Sequence, residues 1–429
     1  MAVGGETDGH QNGQPVEANG HSIRFIPLSY SSTDSHESAL SLVLTVRPDW
    51  EHVEFVRFTD GITNTLLKAV NKKPGLSKDE VDKEAILLRA YGNGTDLIID
   101  RHRETQNHEL LAKYGLAPEL IARFDNGMMY RFIQGTVTKP EDLRKPVIYT
   151  AVARRLAQWH AVVPCIPGRT GHSRKNSKAE GYTGPVDNLG DAEFQQVLDH
   201  VAPGKPSPNV WSVMQKWIFA LPTDTEEERA RQAELQKELT TLVAELSQRP
   251  GLGKNGLVFA HCDLLSGNVI VIPKSIDATS DKTTETVTFI DYEYATPSPA
   301  AFDLANHFAE WGGFDCDFSV LPTRTQRREF ITEYVHAYFS QLQEKPAAVD
   351  EAVEVEKLVA EVDLFRGLPG FYWGIWALIQ ATISQIDFNY ASYAETRLGE
   401  YWAWRAETSG SREKSGEEMP LREKRWAQE

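Results

Sequence analysis

Four side chains near the middle of the chain have the types and spacing for one kind of chemistry. His261, Asp263 and Asn268 fall within the stretch LVFAHCDLLSGNVIVI at 257–272, and Asp291 closes a further apolar run at 287–290. A carboxylate in a short loop between apolar runs can accept the proton of a hydroxyl group. An amide oxygen five positions later can ligate a hard divalent cation, and phosphoryl transfer to an alcohol needs both groups. On this reading Asp263 is the base, Asn268 and Asp291 hold magnesium, and His261, counted with the catalytic set, braces the loop from behind. Each residue alone has a plainer reading, because Asp and Asn in turns commonly cap backbone amides. The ordered set is what favours chemistry.

The elements that must position these groups follow from periodicity. The central stretch reads as strand, tight loop, strand, and 287–290 as another strand. Upstream, Val53 to Phe58 and Thr65 to Val70 are expected to form a hairpin around Asp60-Gly61-Ile62-Thr63-Asn64. A glycine-and-hydroxyl turn of that kind presents backbone N–H groups to phosphates. Ala85 to Arg89 reads as the next strand. The whole order matches the kinase pattern, with H-x-D-L-x-x-x-N as the catalytic loop and Arg89 in place of the phosphate-pairing lysine. Lys68 is a rival for that role and is read as a solvated edge residue. Asp100 to Tyr114 is expected as a helix capped by Asp100, with Glu104 and Glu109 as candidates to pair Arg89, Glu104 being the one counted in the nucleotide site. Phe132 and Ile133 end a strand at 128–133 and are counted there too, just before a hinge at Gln134-Gly135.

From Glu141 onward helical periodicity dominates. Val152, Leu156, Trp159 and Val163 share one face of a helix at 148–162, where His160 reads as packing. Further helices are expected at 226–247, 302–311, 326–343, 349–366, 368–388 and 390–406. Asp303, Asn306 and Glu310 lie at helical spacing on the second of these. Residues 164–191 read as a loop, 1–20 as disordered, and the charged last twenty or so as frayed.

Composition narrows the class. The chain has 429 residues, 25% charged and 41% hydrophobic, as expected of a globular protein with two lobes. A net charge of −16 argues against nucleic-acid binding. Three cysteines, none in a C-x-x-C pair, make no disulfide framework and suit the cytoplasm. The longest apolar run, 371–379, is too short to span a bilayer, so no membrane insertion is expected.

Taken together, RFTDGITN (57–64), LLRAYG (87–92), IDR (99–101), AHCDLLSGN (260–268), IDYEY (290–294), NHFAEW (306–311) and FYWGIWALIQA (371–381) resemble the choline/ethanolamine kinase family over most of residues 50–407, the ethanolamine branch most closely. The resemblance implies an α+β, protein-kinase-like fold: a tail at 1–21, a β-rich N-lobe at 22–134, a larger helical C-lobe at 135–407 and a charged tail at 408–429. It implies ATP in the cleft, Mg2+, and phosphorylation of ethanolamine on the route to phosphatidylethanolamine, with choline as the alternative acceptor. Gly61, Ile62, Thr63 and Asn64 would cover the nucleotide and Arg89 would contact its phosphates. Glu293, Glu310, Trp373, Trp376, Phe388 and Tyr393 match positions that surround the amino-alcohol head in choline kinases. Two departures stand out: Cys262 replaces the usual Asn, and Arg131 stands where relatives tend to carry Glu. An aminoglycoside- or homoserine-type phosphotransferase is a further reading, against which the aromatic C-terminal helix argues. A silent pseudokinase is disfavoured because Asp263, Asn268 and Asp291 are all present.

Overall fold

The computed structural model describes residues 23–58, 64–92, 95, 98–165, 191–274, 285–344, 348–384 and 386–429. Gly61, Ile62 and Thr63, and 166–190 of the expected long loop, lie outside the described residues.

The first half of the chain builds one sheet. Its strands are β1 (Arg24–Ile26), β2 (Val53–Phe58), β3 (Asn64–Asn71), β4 (Ile86–Tyr91), β5 (Leu120–Phe124) and β6 (Gly127–Arg131), in the order β1-β5-β6-β4-β3-β2. All neighbours are antiparallel except β1 and β5. Helix α1 (Ser35–Val46) lays Ala39, Leu42 and Val43 on the sheet, where Trp50, Leu67, Leu88, Phe124 and Met129 complete a small apolar core. Two more helices border the sheet: α2 (Lys78–Glu84), started by a Ser77–Glu80 capping box, and α3 (Arg101–Lys113), capped by the Asp100 carboxylate.

The α2 helix is shorter than periodicity can reveal, and it overturns the expectation for Lys68. Because β3 is paired on both sides, Lys68 is buried; its Nζ lies 2.6 Å from Asp82 on α2 and 4.0 Å from the Phe132 ring centre.

Past the hinge the chain is mainly helical. At Gly135 a Cβ would meet Ile270 Cγ2 at 2.3 Å and Val271 O at 2.6 Å, so only glycine lets the hinge cross there. Then come β7 (Thr136–Val137), α4 (Pro146–Val162), α5 (Asp191–His200), α6 (Val210–Phe219) and α7 (Glu226–Leu246). Four short strands carry the central stretch: β8 (Val258–Ala260), β9 (Val269–Val271), β10 (Val287–Phe289) and β11 (Thr296–Ser298). The expected strand–loop–strand is present, but its two strands belong to different sheets. β8 pairs β11, while β9 lies between β10 and β7. The remaining helices are α8 (Ala300–Ala309), α9 (Arg324–Gln341), α10 (Glu351–Phe365), α11 (Leu368–Ile383), α12 (Tyr390–Thr408), α13 (Ser411–Ser415) and α14 (Leu421–Ala427). At Gly370 a Cβ would meet Arg397 O at 2.5 Å, so α11 and α12 touch backbone to backbone. Trp159, Trp211, Trp217, Phe302 and Tyr372 are among the buried residues of this larger core.

The charged segment after residue 408 is not frayed. Trp426 is buried, donates from Nε1 to Asp363 at 2.7 Å and stacks under the Arg327 guanidinium at 3.9 Å.

One helix fixes the loop that carries Asp263. The Asp303 carboxylate on α8 accepts from the His261 amide (2.9 Å), the Cys262 amide (2.8 Å) and His160 Nε2 (2.9 Å). Asn306 donates to Cys262 O at 2.9 Å, and His307 Nδ1 donates to Leu264 O at 2.8 Å. All three side chains are fully buried. Replacing Asp303 would strand two buried N–H groups and a buried histidine, a loss of about 3–5 kcal/mol. Asp303→Ala should therefore lower the unfolding free energy by that amount in urea titration; a loss under about 1 kcal/mol would deny this carboxylate its clamping role.

Candidate active site

Asp263 and Asn268 sit at the two ends of the clamped loop. Both are nearly buried, and the Asn268 Nδ2 group donates to Asp263 O (2.7 Å) and Asp263 Oδ2 (3.1 Å). With its N–H groups turned to Asp263, the amide keeps its oxygen out of the latch. The Asp263 carboxyl is pushed well above the usual carboxylate range by burial, then by the charges of Asp291, Glu310 and Glu293. Asp263 is thus a carboxylate of raised basicity within a cluster of carboxylates. Asp291 follows β10 at φ 65°, a left-handed conformation that Asp tolerates, and Cys262 beside Asp263 has φ 62°. Holding Cys262 there costs on the order of 1–3 kcal/mol, which the Asp303 and Asn306 hydrogen bonds offset.

His261 carries its proton on Nε2, which donates to Ile290 O at 3.1 Å, while Nδ1 accepts from the Asp263 amide at 3.3 Å. Both nitrogens are occupied in joining the loop to the end of β10. The histidine braces the site, as its position in the sequence suggests.

Facing this loop, β4 and α3 deliver a cationic cluster. The Arg89 Nη2 atom contacts Asp291 Oδ1 (2.8 Å) and Glu293 Oε2, and Nη1 lies 3.6 Å from Glu104. Burial disfavours the Arg89 charge, but these three carboxylates outweigh it. Arg101 adds a second guanidinium, 2.9 Å from Glu104, 3.1 Å from Glu293 and 3.4 Å from Asn64 Oδ1, over the face of Tyr91. The Asn64 amide in turn donates to Glu293 Oε2 at 3.2 Å. Glu104, not Glu109, is the partner of Arg89. Arg101 was visible only as the last letter of IDR, because its reach depends on how α3 starts.

Glu293 adds to an expectation. Expected among the amino-alcohol residues, it is engaged by Arg89, Arg101 and Asn64 from the β-sheet side, while its charge also reaches Tyr294 beside the aromatic group. Of the two strand-end residues, Phe132 stacks against Phe58 at 6.3 Å with rings 9° apart, and Ile133 is half-buried before the hinge.

Glu310 lies near Tyr393 of α12, where Arg397 reaches it across the Tyr393 ring. Trp373 and Trp376 meet edge to face at 5.4 Å. Their indole N–H groups are fixed by Asn306 Oδ1 and Tyr294 Oη, each at 2.8 Å. Tyr390 links Trp376 to Phe388, which reaches Tyr393 at 5.6 Å, and Phe314 closes the group at 6.2 Å from Phe388. Tyr294, Phe314 and Tyr390 escape sequence reading because aromatic residues on separate elements give no periodic signal.

The chain matches the Choline/ethanolamine kinase model over residues 55–402. It belongs to the choline/ethanolamine kinase family. Ethanolamine kinase 1 of Mus musculus is 31% identical over 385 residues, 87% of this chain and 90% of that protein. Ethanolamine kinase of Drosophila melanogaster is 30% identical, over 90% of this chain and 80% of that one. Among solved structures, an ethanolamine kinase of Plasmodium vivax superposes with a TM-score of 0.63 at 22% identity, covering 86% of this chain and 89% of its own. The choline kinase of Cryptosporidium parvum gives 0.56 at 18% identity, over 87% and 97%. The fold is the two-lobed protein-kinase-like one, and the protein is an enzyme, a phosphotransferase.

Both departures from the family pattern can be placed. Cys262 keeps a thiol contact to Ser298 Oγ at 3.4 Å. Arg131 pairs Glu119 at 2.7 Å on the surface, where such a pair is worth little. Among the described residues no helix is long and apolar enough to cross a membrane.

Three buried histidines of this kinase-family enzyme make its stability depend on acid. Burial pushes His108, His261 and His307 down to about 4. An unfolded histidine titrates near 6.5, so between these values the unfolded chain binds more protons and stability is lost as pH falls. The unfolding free energy should drop between pH 6.5 and 4. His108 Nε2 donates to Pro118 O at 2.8 Å, a bond that glutamine can also make, so His108→Gln should flatten the slope by close to one proton in denaturant titrations. An unaltered slope would remove His108 from the set.

Proposed function

We propose that the protein transfers the γ-phosphoryl group of ATP to the hydroxyl oxygen of ethanolamine. The bond from phosphorus to the ADP oxygen breaks, the bond to the ethanolamine oxygen forms, and the hydroxyl proton passes to Asp263. The observation that carries the reading is the Asn268–Asp263 latch inside a cluster of carboxylates, with Glu310 and the aromatic residues beside it. Burial and neighbouring charges give Asp263 the basicity to accept that proton. The family membership and the ethanolamine kinase names of the relatives support the acceptor.

The residues fit magnesium. Asn268 offers an amide oxygen, and Asp291 offers a carboxylate whose Oδ1 meets Arg89, a hard oxygen donor set. When bound, the ion would neutralise charge on the phosphates. Arg89 is an internal counter-ion for Asp291 and Glu293, so its contribution to ATP is to aim these carboxylates, together with Arg101. Asn64, held by Arg101 and Glu293, anchors the end of the turn that would cover the nucleotide.

Choline is a second reading, favoured by the ring cluster of Trp373, Trp376, Tyr390 and Phe388, since a trimethylammonium prefers aromatic faces. A primary ammonium instead gains from a carboxylate such as Glu310. Coupled ATP turnover with both acceptors should give a kcat/KM for ethanolamine at least about tenfold above that for choline, and none without magnesium; the reverse order would assign choline. Asp263→Ala should lower kcat by on the order of 10²–10⁴-fold while ATP affinity stays within about twofold. Turnover within tenfold of wild type would rule Asp263 out as the base.

A further inference from the structure

A second chain of charges leads away from Glu310. Its Oε1 atom lies 3.4 Å from Arg397 Nη2, and Arg397 Nε lies 3.3 Å from Glu400 Oε1. Glu400 Oε2 is 3.3 Å from Arg422 Nε on α14, and Arg422 Nη1 is 2.8 Å from Glu423. Glu423 ends the series on Arg366 at 2.9 Å. Acid and base alternate and their charges cancel. All are buried except Arg366, which is partly so.

Stability alone gives no reason for such a series, because apolar residues of similar volume usually serve as well as a buried ion pair. Its geometry suggests another purpose. Arg397 Nε, Glu400 Oε1 and Arg422 Nε are buried without a hydrogen-bond partner among the described residues, although each lies within 3.3 Å of opposite charge. The contacts on both sides of Glu400 are thus held by charge and not by aligned N–H···O bonds. Arg397 sits between two carboxylates, and its division between them depends on what else Glu400 faces. What Glu400 faces is Arg422.

We infer that the C-terminal helix α14 is a working part of the amino-alcohol site: Arg422 holds Glu400, Glu400 shares Arg397 with Glu310, and this sets the charge that Glu310 offers to the substrate ammonium. The inference rests on the reading of Glu310 as an amino-alcohol contact. Arg422 and Glu400 are positioning residues that touch no substrate. Without Arg422, Glu400 draws Arg397 to itself, and Glu310, whose carboxyl burial already pushes up, loses the counter-ion that favours its ionised form. A neutral carboxyl is a poor partner for an ammonium.

The test is steady-state kinetics of the full chain with ethanolamine and ATP varied separately. Arg422→Met should raise the KM for ethanolamine at least about fivefold, with the KM for ATP within twofold and kcat within threefold. Arg422→Lys, which keeps the charge, should recover most of that loss. A merely structural role would lower kcat through the active fraction and leave both KM values unchanged. Should Arg422→Met give no cooperative thermal melt, Glu400→Gln decides instead: it keeps the volume and lets Arg397 close fully on Glu310, and because a carboxylate fully engaged by a guanidinium has less charge to offer the ammonium, it should raise the same KM. An ethanolamine KM within twofold of wild type in the folded variant, or lower, overturns the inference. Wild-type protein that phosphorylates no amino alcohol brings down the reading beneath it, and this inference with it.

Discussion

A single buried carboxylate sets the geometry of the whole cleft. Asp303 lies on a helix that packs at the centre of the larger core, and it accepts two consecutive backbone amides from the loop that presents Asp263. Two successive N–H groups converge on one carboxylate only if the chain between them turns sharply, and Cys262 does so at φ 62°. Burial alone would raise the Asp303 carboxyl, but the hydrogen bond and charge of His160, with the His261 amide, hold it below the usual carboxylate range. The acceptor therefore stays ionised at the core of the protein. Asn306 and His307 from the next turn of the same helix take the loop carbonyls, and Asn306 also fixes Trp373. Asp263 and the aromatic wall thus share one rigid support, as reacting groups require if they are to stay within fractions of an ångström.

Much of this was legible in the sequence. A conserved spacing is not needed to see strand, H-x-D-L-x-x-x-N and strand, because the apolar runs and the polar residues between them say so directly. The long helices announced themselves by their apolar stripes. Elements of two or three residues, such as β7 and β11, and the short helix α2 escaped because they lie below the length at which periodicity carries information; α5 and α6, ten residues each, escaped as well. Lys68 was misread because its partner sits on α2. The last twenty residues were misread because charge normally means solvent. Here Arg422 and Glu423 are buried with each other, and of the few apolar residues in the segment Trp426 docks while Leu421 stays exposed. Glu293 lies two residues from Asp291, yet its neighbours are set by Arg89 and Arg101, which reach it from the other lobe.

Charge joins the two halves across the cleft, beside the apolar contacts by which Ile98, Ile99, Leu111 and Leu116 pack into the helical core. The small core around the sheet and the large helical core are separate apolar bodies, and Arg89 and Arg101 on one side meet Asp291 and Glu293 on the other. Two guanidiniums face three carboxylates once Glu104 is included, so the cluster keeps an excess of negative charge. Such a surplus beside an oxygen donor pair suits a divalent cation, and it keeps Asp263 basic.

The fold also settles how its sulfur behaves. Burial holds Cys262 well above the usual thiol range, with the Asp303 charge adding to it, and raises Cys165 to about 12 and Cys316 to about 11. Nucleophilic attack by cysteine requires the thiolate, and none of the three supplies one near neutral pH. The loop thus carries a sulfur atom next to Asp263 that burial favours in its thiol form.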